Sequence, residues 1–190
     1  MQMATAGLVT AGALERMGTR ARHLELVRGV LVPVNPPGYE HGRIAVLISA
    51  KLLAFAQRAA LGTVQVESGF TLFRDPDTVR GPDVSFVRRE RLAAAPRHGF
   101  FAGAPDVAVE VRAPEVSLKE LFEKADDYVR AGAGLVWVVD EESETVYVCR
   151  AGQERSRLGK GDTLEGGEVL PGFALELCEL FEDPFGGGPG

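Results

Sequence analysis

Two short segments of the chain begin with Pro-Asp and continue into apolar residues. Asp83 precedes the apolar segment 84–87, and Glu110 lies inside the segment 107–111. A carboxylate within a buried strand is costly unless a cation or a metal ion pairs with it. Carboxylate oxygens are ligands that Mg²⁺ prefers in proteins. If the two strands are neighbours, Asp83 and Glu110 converge at one edge of a sheet and form a magnesium site.

A cationic side chain beside such a site would stabilise the charge that develops on a reacting phosphate. Arg112 follows Glu110 by two residues and shares its face of the strand. Lys124 lies on the next predicted helix, at the margin of its apolar stripe, and Lys119 lies at the opposite margin. Helical geometry alone does not choose between the two lysines.

Composition limits the class of protein. A chain of 190 residues suits one domain with a hydrophobic core. The net charge of −6 argues against a constitutively basic nucleic-acid coat protein, although arginines concentrated in the middle of the chain allow a locally basic face. The two cysteines, Cys149 and Cys178, fit neither a disulfide framework nor zinc spacing. Without a signal peptide or an apolar run of membrane-spanning length, we expect a soluble cytoplasmic protein and no membrane partner.

Hydrophobic periodicity and turn residues predict the secondary structure. The predicted elements are a helical turn at 10–17, a hairpin at 24–34, a helix over 41–60, a strand over 63–73 with an irregularity at 68–69, a strand over 83–87, a long loop over 88–104, a strand over 107–111, a helix over 117–131, strands over 135–139 and 145–150, and two short strands at 168–170 and 175–177.

The strand, helix and strand from residue 107 to residue 140 form the best-defined unit. Ser117 and Glu120 have the spacing of a capping box at the start of the helix. The order implies a right-handed crossover between parallel strands, whereas the hairpins are antiparallel. We therefore expect an α/β fold with a mixed sheet flanked by helices. Residues 1–183 would form one domain with an N-terminal extension over 1–19, and the glycine-rich residues 184–190 would be a disordered tail.

Six segments match one family in order and spacing. They are HLELVRGVLV at 23–32, His41 at the start of the first long helix, GPDV at 81–84, PDVAVEV at 105–111, KADDYVRAG at 124–132 followed by VWVVD at 136–140, and LPGF at 170–173. Together they resemble the Uma-type restriction-endonuclease-like family of the PD-(D/E)XK nuclease superfamily. The resemblance runs from about residue 20 to residue 183.

The resemblance implies a restriction-endonuclease-like core in which Asp83 and Glu110 are metal ligands. In this family the lysine has moved from the strand to the following helix, which points to Lys124. Two further segments of the resemblance contain Glu25 and His41, which we take as accessory candidates.

The chain departs from the family pattern directly after the glutamate. The family reads Leu-Ser-Pro-Ser where this chain has Val-Arg-Ala-Pro, so Arg112 occupies the superfamily's lysine position. An arginine stays charged and cannot act as a base. It either clamps a phosphate oxygen, as a further accessory residue, or fills the site and inactivates it.

The resulting interpretation is an endonuclease that uses Mg²⁺ or Mn²⁺ to hydrolyse DNA. Asp83 and Glu110 would hold the metal and Lys124 would stabilise the transition state. A homodimer is expected because cutting both strands of a duplex favours two-fold symmetry. The alternative is a catalytically silent nuclease fold that serves as a DNA-binding module or as a regulatory dimer.

Each candidate residue also has a purely structural interpretation. Asp83 and Asp106 can cap turns, Glu110 can form an ion pair with Arg112 or Lys124, and Glu25 can pair with an arginine across strands. Tyr128 and Trp137 are expected in the core. The arginines between residues 88 and 97 either contact phosphates or lie on a solvated loop.

Overall fold

The computed structural model describes residues 7–182, and the predicted disordered tail lies outside them. The elements in chain order are α1 (Ala11–Arg16), β1 (Leu24–Val27), β2 (Val30–Pro33), α2 (Tyr39–Arg58), β3 (Gly62–Val66), β4 (Phe70–Phe73), β5 (Thr78–Arg80), β6 (Val84–Arg88), β7 (Phe101–Ala102), β8 (Val107–Val111), α3 (Leu118–Arg130), β9 (Leu135–Asp140), β10 (Thr145–Cys149), β11 (Ser156–Gly159), β12 (Thr163–Glu165), β13 (Ala174–Glu176) and α4 (Cys178–Phe181). Two 3₁₀ segments, Gly18–Ala21 and Arg89–Ala94, complete them.

The strands form two large sheets and one strand pair. The six-stranded sheet has the order β11-β10-β9-β8-β6-β3, and the five-stranded sheet has the order β2-β1-β5-β4-β7. The third sheet contains only β12 and β13. The predicted mixed α/β fold is confirmed, since β8 and β9 are parallel and the pairs beside them are antiparallel.

Strand β8 lies in the middle of the six-stranded sheet and alternates as predicted. Val107, Val109 and Val111 belong to the core that β8 shares with α2, whereas Ala108 belongs to the core under α3. Because residues of one strand alternate between faces, Glu110 lies on the α3 side with Ala108. The capping box that begins α3 is also present, with Glu120 accepting a hydrogen bond from the backbone N–H of Ser117 at 2.9 Å.

Several local predictions were wrong. Residues 63–73 do not form one interrupted strand, because β3 and β4 belong to different sheets. Residues 168–170 lie in a turn instead of a strand. Four strands were not predicted, namely β5, β7, β11 and β12, and each has only two to four residues. For residues 88–104 we expected a long loop, with a helical turn as an alternative; the chain forms a 3₁₀ segment there, and also the short strand β7.

The N-terminal segment packs onto the five-stranded sheet. Ala11 and Leu14 of α1 share a small core with Leu26 of β1 and Val79 of β5. The side chain of Asp77 holds the start of α1 by accepting a hydrogen bond from the backbone N–H of Ala11 at 2.7 Å. Over residues 7–182, no helix has both the length and the apolar character needed to cross a bilayer.

The contact between β3 and β6 gives a stability prediction. A Cβ atom on Gly62 would lie 2.1 Å from the carbonyl oxygen of Val87, whereas a Cβ atom on Gly42 of α2 would meet nothing within 4 Å. We expect Gly62→Ala to lower the free energy of unfolding by about 1–3 kcal/mol through overpacking. Gly42→Ala, the matched control, should raise it by about 0.5–1 kcal/mol through helix propensity. Urea denaturation measures both, and equal effects would contradict the described packing.

Candidate active site

The register between β6 and β8 brings the two predicted carboxylates together. The strands are antiparallel with Val84 opposite Val109, so one residue further along Asp83 lies opposite Glu110. Opposite residues of an antiparallel pair point to the same face with Cβ atoms about 5 Å apart. Asp83 is fixed in this position because its Oδ2 accepts a hydrogen bond from the backbone N–H of Val111 at 2.6 Å.

Glu110 is almost completely buried, with 2% of its surface exposed. Its Oε1 accepts a hydrogen bond from the Tyr128 hydroxyl at 2.9 Å, and its Oε2 lies 2.8 Å from Lys124 Nζ. Burial raises the pKa of Glu110 to about 8; Lys124 opposes the shift, and the charges of Asp83 and Glu25 add to it. The positive charge of Lys124 alone therefore does not compensate for the burial of Glu110 and for its two negative neighbours.

Lys124 is shared between two carboxylates from different sheets. Its Nζ lies 2.9 Å from Oε1 of Glu25 on β1, as well as close to Glu110. Burial opposes the charge on Lys124, but the fields of Glu110, Glu25 and Asp83 outweigh it and raise the lysine pKa. Lys124 therefore stays protonated and acts as a fixed positive charge and hydrogen-bond donor.

Two members of the site were not predicted from the sequence. Arg80 lies 2.9 Å from Oε2 of Glu25 and 2.7 Å from Oδ2 of Asp127, which forms a chain of charges from Glu110 through Lys124, Glu25 and Arg80 to Asp127. Burial opposes the charge on Arg80, but these two acids keep its pKa above the ordinary value.

The spacing of Asp127 and Tyr128 from Lys124 in the sequence could have indicated that both belong to the site. These residues follow Lys124 by three and four positions, so all three lie on one face of α3. Arg80 had no comparable signal, because the short strand β5 was itself unpredicted. Tyr128 is buried as expected, but its hydroxyl also positions the Glu110 carboxylate.

His41 lies at the start of α2, where its Nε2 is 3.3 Å from Oδ2 of Asp83. Burial opposes a charge on the imidazole, but the bond to Asp83 and the nearby charges of Asp83, Glu110 and Glu141 raise its pKa. Its Nδ1 is buried and has no hydrogen-bond partner among residues 7–182. The structure therefore places His41 beside the carboxylate pair.

Arg112 does not enter the site. Its guanidinium lies 3.0 Å from Asp140 and 3.0 Å from Glu142, and its Nε donates to the carbonyl oxygen of Val116 at 2.9 Å. These contacts hold it at the neighbouring strand β9, so the arrangement gives no support to the accessory role predicted for it. Arg112 also does not fill the site, and Glu110 is paired with Lys124 instead.

The remaining polar candidates lie elsewhere. Lys119 is exposed and pairs loosely with Glu123 at 3.9 Å, so the geometry selects Lys124. Asp106 lies at the opposite end of β8 from Glu110, where it accepts bonds from the backbone N–H of Arg88 and from the Arg91 guanidinium, both at 2.9 Å. These contacts give Asp106 a structural role, as in the simpler interpretation from the sequence, and not a place in the site.

The site opens into a cleft of about 1150 Å³ between the two large sheets. The cleft is lined by Glu25, His41, Asp83, Glu110 and Lys124, and the chain's two other histidines also line it. A substrate larger than a small metabolite can therefore reach the paired carboxylates.

The donor set suits a hard divalent cation. Asp83 has 22% of its side chain exposed, forms no ion pair with a lysine or arginine of the described chain, and its Oδ1 accepts no hydrogen bond there. Mg²⁺ binds through one or two carboxylates and keeps several waters. Among residues 7–182 no group of three or more His, Cys, Asp and Glu side chains forms a metal-binding cluster. The residues thus offer two carboxylates, with the other positions left to water or substrate.

The ion pairs of Glu25 give a pH prediction. Burial raises the pKa of Glu25, but Lys124, Arg80 and the Gly81 N–H outweigh it, so the folded pKa lies below the ordinary 4.5. Glu25 therefore stabilises the fold above pH 4.5, and this contribution is lost as the pH falls through the folded pKa.

Urea denaturation between pH 3 and pH 7 measures this dependence. Relative to wild type, Glu25→Gln should be destabilised at pH 7 by about 1–3 kcal/mol and should lose less stability as the solution is acidified. Glu165→Gln is the matched control, because exposed Glu165 forms no ion pair within 7–182. Parallel pH curves for wild type and Glu25→Gln would contradict the assignment.

Comparison with known proteins identifies the family. The Uma2 family model, described as "Putative restriction endonuclease", matches residues 12–178. A search of curated proteins found no match. Among solved structures, the crystal structure of a putative nuclease belonging to DUF820 from Anabaena variabilis ATCC 29413 superimposes with a TM-score of 0.80. It is 19% identical, and the match covers 91% of this chain and 97% of that one, which establishes a shared fold. The chain therefore belongs to the Uma2 restriction endonuclease-like family.

Proposed function

We propose that this protein is a metal-dependent endonuclease that hydrolyses phosphodiester bonds of DNA. The observation that carries the proposal is the meeting of Asp83 and Glu110 beside Lys124 at the floor of an open cleft. Family membership supports a nuclease. Mg²⁺ or Mn²⁺, DNA as substrate, and the roles of the individual residues are the finer parts of the proposal.

Asp83 and Glu110 would hold the divalent ion, which when bound neutralises phosphate charge and makes water a stronger nucleophile. Lys124 would donate a hydrogen bond to a non-bridging phosphate oxygen and stabilise the charge of the transition state. Its raised pKa excludes it as a general base, because it stays protonated at neutral pH. Tyr128 and Glu25 would position Glu110 and Lys124 through the bonds described above.

One observation favours the alternative of a silent nuclease fold. Both oxygens of Glu110 already have partners, Tyr128 and Lys124, so the fold satisfies this buried carboxylate without a metal ion. A silent protein would leave DNA intact: a binding module would bind it, and a regulatory dimer would have no affinity for it. The cleavage experiment below separates the two functions.

Plasmid nicking tests the hydrolytic proposal. Wild type should nick supercoiled DNA with Mg²⁺ or Mn²⁺ and not with EDTA. Glu110→Gln and Lys124→Met should each reduce the rate by about 100-fold or more, because each removes a group that acts on the reacting phosphate.

Lys119→Met is the matched control and should stay within about twofold of wild type, because exposed Lys119 lies outside the site. Circular dichroism of each variant verifies folding. Equal nicking by wild type and Glu110→Gln, or no nicking by wild type with either metal, would refute the proposal.

Arg112→Ser tests the position of the arginine. Because its guanidinium is held at β9, the rate of nicking should stay within about threefold of wild type. The free energy of unfolding should fall, because buried Asp140 loses its charged partner and, among residues 7–182, keeps the hydrogen bond from the Ser143 hydroxyl. A 100-fold loss of rate would place Arg112 in the reaction, and a large gain would identify the natural protein as the silent form.

The homodimer and the cytoplasmic location stay predictions from the sequence. A two-fold assembly would place two sites on one duplex. Sedimentation velocity of the full chain with and without duplex DNA measures the oligomeric state.

A further inference from the structure

One side of the cleft carries arginines that form no ion pair with an acid of residues 7–182. Arg22, His23 and His98 line the cleft, and exposed Arg20 and Arg97 neighbour them in sequence; we call these five residues the basic wall. Within residues 7–182 no member of the wall takes part in an ion pair with an acid. The three arginines of the wall are thus exposed cations without an acidic partner in residues 7–182, on a protein whose net charge is −6.

The arginines nearer the carboxylates differ from those of the wall. Arg80 pairs with Glu25 and Asp127, and Arg91 pairs with Asp106. These side chains maintain the fold and are not available to a ligand. The arginines of the wall therefore differ from Arg80 and Arg91, because among residues 7–182 no acid pairs with their guanidinium groups.

The wall is held in place by the fold. Glu15 of α1 accepts a hydrogen bond from the backbone N–H of Phe100 at 3.0 Å, which ties the N-terminal segment to the loop that carries His98. Asp77 anchors the start of α1, and the backbone N–H of Val9 donates to the carbonyl oxygen of Gly29 at 2.8 Å. The cations are thus presented by two segments that are fixed against each other.

The wall lies close to the site along the chain. His23 and Arg22 lie in the turn before β1, two and three residues before Glu25, so their Cα atoms are at most about 10 Å from that residue. Glu25 contacts Lys124. Successive phosphates of one DNA strand advance by about 3.4 Å along the helix axis, so this separation corresponds to about three nucleotides or fewer.

Acidic residues on other elements of the cleft determine which side a bound polyanion would follow. Glu67 after β3, Glu115 before α3 and Glu120 in α3 also line the cleft, on elements other than those of the wall. Glu15 is the acid that lines the cleft beside the wall, where its carboxylate accepts the hydrogen bond from the Phe100 N–H, and three arginines of the wall outnumber it. A polyanion is repelled by these acids and attracted by the wall. Its backbone would therefore follow the segments that carry residues 20–23 and 97–98.

We infer that the basic wall binds the phosphate backbone of duplex DNA within about three nucleotides of the bond to be cut. The inference rests on the proposed nuclease function and adds to it a positioning surface that sets where the substrate lies. Contacts of this kind fix register and orientation and read no sequence. They also make binding strongly dependent on salt.

Fluorescence anisotropy with a labelled 20-base-pair duplex tests the inference, using the full chain in EDTA at 50–200 mM salt. Arg22→Glu should weaken binding about tenfold at the lowest salt and make the salt dependence shallower. The matched control is Arg58→Glu, since Arg58 is exposed, forms no ion pair within 7–182 and lies at the far end of α2, about 26 Å from His41 along the helix. This control should bind within twofold of wild type.

Equal effects of the two charge reversals, or no effect of Arg22→Glu, would overturn the inference. Unlabelled duplex and polyglutamate of equal charge are compared as competitors of the labelled duplex. If polyglutamate competes as strongly, the wall binds anions in general and the inference is overturned. Binding through the wall without nicking would refute hydrolysis and leave the wall assigned. If wild type nicks DNA and Arg22→Glu binds the duplex as tightly as wild type, the role of the wall is refuted and the hydrolytic function is retained.

Discussion

A carboxylate buried in the central sheet is the constraint around which the cleft is organised. Glu110 cannot be solvated in the middle of β8, so the fold must supply partners for it. α3 supplies both, the Tyr128 hydroxyl and the Lys124 ammonium. Lys124 is itself half-buried and pairs with a second acid, Glu25, from the other large sheet. The charges around Glu110 therefore also connect the two sheets.

This network has a functional consequence beyond stability. The acid next to Glu110 is Asp83, which has His41 as its only ion-pair partner in residues 7–182. Lys124 pairs with Glu110 and Glu25 and not with Asp83, so the carboxylates around Glu110 carry an excess of negative charge. Burial raises the pKa of Glu110, and the charges of Asp83 and Glu25 add to that rise. Natural folds tolerate unfavourable charge mainly where function requires it. A divalent ion between the two carboxylates would remove the excess, and this is the role that the proposed function assigns to the ion.

Much of this could be predicted from local sequence. The alternating valines around Glu110 predicted β8 and the face on which the acid lies. The capping box at Ser117 predicted α3, and the order of strand, helix and strand predicted the parallel pair that flanks the site. The proximity of Asp83 to Glu110 followed from taking their two strands as neighbours.

The missed features depend on contacts between distant segments. Arg80 belongs to a three-residue strand, too short for a periodic pattern, and its partner Glu25 lies 55 residues earlier in the chain. The orientation of Arg112 is set by Asp140, 28 residues later. No local pattern distinguishes an arginine that faces a phosphate from one that pairs with a neighbouring strand.

A crystal of the full chain soaked in Mn²⁺ gives the most direct test of the central claim, that Asp83 and Glu110 together bind a divalent ion. Anomalous scattering identifies the ion independently of any activity. The account predicts one site between these two side chains, with carboxylate oxygens about 2.1 Å from the ion. A cleft without anomalous density at saturating Mn²⁺, with Glu110 still paired to Lys124 and Tyr128, would contradict it.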